Sequence, residues 1–220
     1  MSKLPRILEP EVMDTVEDAA DYDSMDHSAV NRAFAADFLK VWNGKSPILD
    51  VGTGTALIPI EICTQSAAGQ ILAVDLSEEM LKRAEANVVR AGFADRITLQ
   101  RVDGKDIPFP WDSFGAVVSN SIIHHIPEPA VAYAEIVGVA KADATIFVRD
   151  LLRPNTLAEL DALVDTYASG ATPRQRQLFS DSLHAALTVD EVREIVGALG
   201  YDPASVQQTS DRHWTWCVKP

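Results

Sequence analysis

An open, doubly wound α/β fold follows from three features of this 220-residue chain. From about residue 45 onward, short apolar segments alternate with patterns of helical period. Those segments are apolar and β-branched enough for burial on both faces, as strands covered by helices must be. The final two segments are joined by a polar turn and read as an antiparallel hairpin. The expected architecture is a three-layer α/β/α arrangement around a mixed seven-stranded sheet, with the last strand antiparallel.

Taken in order, residues 9–42 predict two helices separated by the acidic stretch "DAADYDSMDHSAVN". The second runs from about Ser28 to Trp42 and puts Val30, Phe34, Phe38 and Val41 on one stripe. "NGKSP" ends it. Strands are expected at 47–51, 70–75, 96–102, 115–120 and 144–150, with helices at 56–67, 77–91 and 128–141. The helix after Asp75 has Ser77 as N-cap, Glu78 and Glu79 in its first turn, and Gly92 at its stop. Residues 151–187 predict irregular helical structure. Thr188 and Glu191 form a capping box for the next helix, and the segments 201–208 and 212–219 form the closing hairpin. A single domain is expected, with 9–42 as a helical cover, 45–150 as the ligand-binding core, 151–187 as a lid insert and 188–220 as closing helix and hairpin.

The chain carries 19 Lys+Arg against 32 Asp+Glu, a net charge of -13. That balance opposes nucleic-acid binding, which depends on cationic side chains that release phosphate counterions. It fits a small-molecule ligand. Cys63 and Cys217 have no metal-ligand spacing and read as core thiols, so no metal is expected. No segment has signal-peptide character and none is long and apolar enough to span a bilayer, so a cytoplasmic setting without membrane association is the expectation. The oligomeric state is open, a homodimer among the options.

The chemistry concentrates in "LDVGTGTAL". Gly52 and Gly54 sit where a buried strand turns into a helix, where glycine permits positive φ and a close approach of amides to a ligand. A dinucleotide fingerprint would require a third glycine at Leu57. Instead an acid, Asp50, precedes the first glycine by two residues. It suits a cationic ligand group and repels a pyrophosphate. Asp75 ends the second strand, where a carboxylate accepts from a ribose diol. Asp103 follows the third strand and can accept from an exocyclic amine, with Gly104 allowing close approach. Three acids at the C-terminal ends of three successive strands form one ligand edge.

As a set, "LDVGTGTALIPI", "AVDLSEEML", "LQRVDGKDIPFPWDSFGAVVSN", "HHI" and "VAKADATIFVRD" resemble the class I S-adenosylmethionine-dependent methyltransferases, nearest the small-molecule branch of ubiquinone/menaquinone C-methyltransferases. The resemblance covers about residues 45–150. It implies a Rossmann-like fold, S-adenosyl-L-methionine as cofactor and methyl transfer to a small molecule. It also implies that Gly52, Thr53 and Gly54 line the methionine part, that Asp50 orients the α-amino group and that Asp75 binds the ribose. Leu76 and Met80 would flank ribose and adenine, Asp103 would lie near the adenine, and Asn120 would meet the methionine end. Tyr22 would fold over the cofactor. Ala56 stands where the family often has a third glycine.

After the fourth strand, "NSII" replaces the Asn/Asp-Pro-Pro-aromatic tetrad of enzymes that methylate nucleobase amines. His124 and His125 follow as general-base candidates, since imidazole titrates near neutrality. Arg149 and Arg153 are candidates for holding a substrate carboxylate. Two other readings stay open: a binding protein for the same cofactor without transfer activity, and an NAD(P)-dependent oxidoreductase.

Overall fold

The computed structural model describes residues 4–9, 15 and 27–220. Its elements are α1 (Ser28–Val41), β1 (Ile48–Val51), α2 (Leu57–Gln65), β2 (Ile71–Asp75), α3 (Glu78–Ala91), β3 (Ile97–Arg101) and β4 (Phe114–Asn120). After β4 come a 3₁₀ turn (Ile123–His125), α4 (Pro129–Val139) and β5 (Ala140–Leu151). Next are α5 (Leu157–Tyr167), α6 (Pro173–Ala185), α7 (Val189–Ala198), a second 3₁₀ turn (Pro203–Ser205), β6 (Val206–Gln208) and β7 (His213–Val218). The helix predicted before α1, and Tyr22 with it, lie outside the described residues.

Seven strands form one sheet in the order β3-β2-β1-β4-β5-β7-β6. β1 pairs in parallel with β2 and β4, and β2 pairs in parallel with β3. β6 and β7 pair antiparallel, as the terminal hairpin required. Every residue of β1 is buried, and so is every residue of β4 but its last, which explains their uninterrupted apolar sequences. The chain leaves β1 toward β2 and β3, then returns to place β4 on β1's other side. The topological switch point therefore falls between the C-terminal ends of β1 and β4.

The chain divides into two compact units. The described parts of Val12–Asn120, with Val131–Val148 and Cys217–Pro220, make one of them. Its core joins α1 to the parallel strands. Phe147 packs edge-on to Phe34 at 5.1 Å between ring centroids and lies 6.1 Å from Phe38. The stripe predicted on the second helix accounts for both partners, although Val30 and Val41 of that stripe are not among its fully buried residues. Arg96 closes the loop between α2 and β2, donating to the carbonyls of Cys63, Ser66, Ala68 and Gly69. A cation thus satisfies carbonyls at and beyond the C-terminal end of α2.

β5 begins at Ala140, earlier than the expected 144. The alanine-rich "VAKADA" favours helix locally, but tertiary partners hold it extended. Asn43 Nδ2 donates to the Asp143 carbonyl at 2.7 Å, Asn43 N–H donates to Thr145 Oγ1 at 3.3 Å, and Lys45 pairs with the Asp143 carboxylate.

The second unit comprises the described parts of Met1–Glu11, with Ser121–Ala130 and Arg149–Trp216. The segment expected to be irregular contains two well-capped helices. Thr156 caps α5, and Thr172 forms a capping box with Gln175 behind Pro173 at the start of α6. Leu151, Leu160, Val164, Leu183 and Ala186 bury a core between these helices. The predicted capping box of Thr188 and Glu191 opens α7. Trp214 and Trp216 are fully buried, with Tyr201 edge-on to Trp216 at 5.4 Å.

Phe147→Ala is expected to lower stability by about 3–5 kcal/mol, the usual cost of deleting a buried aromatic ring. Guanidinium denaturation of the variant against the parent chain measures it.

Candidate active site

The turn after β1 is built from alternating left-handed residues. Gly52, Gly54 and Ala56 have φ of 75°, 54° and 62°. Alanine at the third of these positions adopts the conformation glycine would occupy freely, at a cost of about 1–2 kcal/mol for an L-residue. Its methyl is fully buried in the core of this unit, which offsets part of that strain. The amides of Gly52 and Thr53 both donate to the Val74 carbonyl at 2.8 Å, so the turn is hung on the end of β2.

Asp75 completes the suspension. Its Oδ2 accepts the Gly54 amide at 2.7 Å and its Oδ1 accepts the Ser77 amide at 2.9 Å. Ser77 in turn caps α3 by accepting from Met80 N–H at 3.1 Å. From α3, the buried Asn87 side chain donates to the Thr55 carbonyl at 3.0 Å. Asn87 had escaped the sequence reading. Its signal was a polar residue on the apolar face of α3, beside Ala84 and Val88.

Leu76 follows Asp75, and its carbonyl is held by Arg101 Nε at 3.0 Å. Met80 is buried at the start of α3. Asp103 lies in the turn after β3. Burial would raise its carboxyl, but the Lys105 amide and ammonium outweigh that and hold it below its ordinary range. The Lys105 Nζ stands 3.0 Å from Asp103 Oδ1. A side chain at Gly104 would crowd Val51 Cγ1 at 3.2 Å. Asn120 ends β4, where Ser119 Oγ donates to the Val51 carbonyl at 2.8 Å and ties β4 to β1.

Asp50 is the exceptional group. It is fully buried at the switch point, and its carboxyl is pushed up to about 7. Burial is the main cause, the Thr53 hydroxyl offsets it partly, and the nearby Asp75 charge adds to it. Asp50 Oδ2 and Thr55 Oγ1 are buried without a hydrogen bond among the described residues. A buried carboxylate oxygen and the Thr55 hydroxyl, both lacking partners at a glycine turn, fit an α-ammonium group and an adjoining polar ligand. They fit the amino-acid end of S-adenosylmethionine.

In the second unit, His124 is buried with its Nδ1 2.5 Å from Asp150 Oδ1 and its Nε2 3.4 Å from Glu9 Oε1. Burial alone would lower the His124 imidazole, but the Asp150 carboxylate outweighs it and raises its affinity for a proton. Burial likewise opposes the Asp150 charge, and His124 reverses that, holding the carboxyl below its ordinary range. His125 Nδ1 lies 3.2 Å from Glu9 Oε1. Arg149 Nε donates to Thr215 Oγ1 at 2.9 Å. Arg153 donates to the Ala186 carbonyl at 2.9 Å and to Glu191 at 2.5 Å.

A methyltransferase-domain family model matches residues 49–148, which hold the glycine turn and all three acids of the ligand edge. Over those residues the chain is similar to methyltransferase domains. It is 31% identical, over 63% of the chain, to the ubiquinone/menaquinone biosynthesis C-methyltransferase of Citrifermentans bemidjiense. The chain spans 59% of that relative's length. Its similarity to the enzyme of the same name from Geotalea uraniireducens is 29% over 77% of the chain and 76% of the relative. A methyltransferase structure from Aquifex aeolicus, described as SAM-dependent, superposes with a TM-score of 0.65 at 19% identity, covering 92% of this chain and 97% of that one. The fold is that of S-adenosylmethionine-dependent methyltransferase structures.

The raised carboxyl of Asp50 has a signed consequence. The folded protein holds a proton on Asp50 that the unfolded chain releases near 3.8, so the contribution is most favourable below that pH. It declines as pH rises toward about 7, by roughly 4 kcal/mol for a shift of about three units. Asp50→Asn is therefore expected to raise the melting temperature of the ligand-free protein at pH 8 and to remove this slope between pH 4 and 7. Cofactor-product affinity of the parent should weaken as pH falls below about 7, while that of Asp50→Asn is weak at every pH. Thermal melts and titration calorimetry across pH check both.

Proposed function

We propose that the chain transfers the methyl group of S-adenosylmethionine to a small-molecule acceptor. The observation that carries this is the buried Asp50 carboxylate, lacking a hydrogen bond on Oδ2, beside a glycine turn at the switch point of the sheet. Bound there, the cofactor supplies an electrophilic methyl on a sulfonium. Gly52, Thr53 and Gly54 would line its amino-acid end and Asp50 would receive the α-ammonium. Asn120 would stand at the same end. Leu76 and Met80 would flank the ribose and adenine, with Asp103 and Gly104 near the base.

Asp75 already accepts two amide hydrogens. A ribose hydroxyl would join the partners of this carboxylate. The same side chain thus shapes the turn and receives the ligand. Methyl transfer from a sulfonium depends mainly on positioning, which needs no general base in the chain. That suits the His124 geometry, in which Nδ1 faces Asp150 and Nε2 faces Glu9. The bonds of Arg149 to Thr215 and of Arg153 to Ala186 and Glu191 support anchoring of chain segments rather than capture of a substrate.

The relatives named above are quinone C-methyltransferases, so an electron-rich hydroquinone ring is the first acceptor class to test. The net charge of -13 supports a non-nucleic-acid acceptor. Among the described residues no helix is long and apolar enough to cross a membrane, and both cysteines are free, features that support a reducing cytoplasmic setting.

Two measurements check the proposal. Incubation with S-adenosylmethionine and demethylated hydroquinones should yield S-adenosylhomocysteine and a C-methylated ring. Absence of turnover together with binding of NAD would overturn it. Asp75→Ala should weaken S-adenosylhomocysteine binding by about 1–3 kcal/mol, the cost of orphaning buried polar partners. It should also lower the melting temperature, since the Gly54 and Ser77 amides lose their acceptor.

A further inference from the structure

The segment holding Glu9 is fastened by more bonds than its length suggests. Arg6 donates to the carbonyls of Ala185, Pro127, His124 and Ile126. Leu4 N–H donates to the Asn155 carbonyl and Ile7 N–H to the His184 carbonyl. The result is that Glu9 Oε1 is brought, buried, against the ring nitrogens of two consecutive histidines.

The geometry there is unusual for an ion pair. Glu9 Oε1 accepts no hydrogen bond among the described residues, although His124 Nε2 stands 3.4 Å away and His125 Nδ1 3.2 Å away. The three atoms lie within 4.8 Å of one another. Zinc bonds of about 2.0–2.1 Å in a tetrahedron separate neighbouring ligand atoms by about 3.3–3.4 Å. Both separations are close to that edge length. Behind them, Asp150 Oδ1 lies 2.5 Å from His124 Nδ1, the carboxylate–histidine contact that orients a metal-binding imidazole and leaves Nε2 toward the metal.

We propose that Glu9, His124 and His125 form a site for a divalent transition-metal ion of the zinc class, with Asp150 orienting His124. Two imidazoles and one carboxylate favour Zn²⁺, Co²⁺ or Ni²⁺ over Mg²⁺ or Ca²⁺, which prefer all-oxygen shells. Three protein ligands leave a fourth position for water. The ion would neutralise the charge of two buried carboxylates, Glu9 and Asp150, in company with the Arg6 guanidinium. It would also fasten segment 4–9 to the turn after β4. Ser182 Oγ, 3.3 Å from Glu9 Oε2, would steady the ligating carboxylate.

The test uses the full chain, stripped with EDTA and titrated with zinc chloride by calorimetry and with Co²⁺ by visible absorption. One zinc per chain and a tetrahedral cobalt spectrum are expected. Losing an outer partner of a metal ligand costs about 10–100-fold in affinity, so Glu9→Gln and His125→Asn, which remove ligands, should each cost at least about 100-fold. Unchanged S-adenosylhomocysteine affinity verifies that each variant is folded, and it separates this site from the methyl-donor site. Lack of stoichiometric zinc uptake by the parent, or equal uptake by both folded variants, would show a cluster that shares protons instead and would overturn the proposal.

Discussion

The Asp75 carboxylate is the peg from which the glycine turn after β1 hangs. One of its oxygens fixes Gly54 in the turn after β1, and the other fixes Ser77 at the start of α3. Together with the Val74 carbonyl, which takes the amides of Gly52 and Thr53, it holds three left-handed residues in a fixed curve. Parallel pairing puts the ends of β1 and β2 side by side, so a single carboxylate can reach both connections. Asn87 supports the same turn from α3 through the Thr55 carbonyl. A turn held from two sides keeps its amides and carboxylates in place before any ligand arrives.

Two buried aspartates show how the same residue type takes opposite roles. Asp150 meets the His124 imidazole and three backbone amides, those of Ile123, His124 and Leu151, so its charge is stabilised within the fold. Asp50 meets the Thr53 hydroxyl and another carboxylate, and burial drives its carboxyl toward neutrality near pH 7. The first arrangement is self-sufficient. The second leaves Asp50 Oδ2 buried without a hydrogen bond among the described residues.

The glycine turn and the three acids were legible in the sequence as local patterns. Glycines two apart after a buried strand, an acid before them and acids closing the next two strands are local patterns with strong physical causes. The capping box at Thr188 was read in the same way. Signals of equal quality at Thr156 and Thr172 went unused, because the intervening "SGATP" and polar residues suggested irregular structure. The β5 boundary was not legible at all. Alanines around Lys141 favour helix, and Asn43 and Lys45, about a hundred positions earlier in the chain, keep that stretch extended.

By itself, then, the sequence determined the alternation of strands and helices, the glycine turn after β1 and the acids that follow the first three strands. These follow from hydrophobic period, turn chemistry and charge at fixed spacing, all of which are local. The tertiary structure decided what each polar side chain faces. It committed Arg153 to Ala186 and Glu191, brought Glu9 against His124 and His125, and set Asn87 under the glycine turn. Those pairings join residues from 32 positions apart, as in Asn87 with Thr55, to more than a hundred, as in Glu9 with His124. Spacing along the chain carries no information about partners brought together by packing, because burial of apolar faces, not proximity in sequence, fixes where they meet.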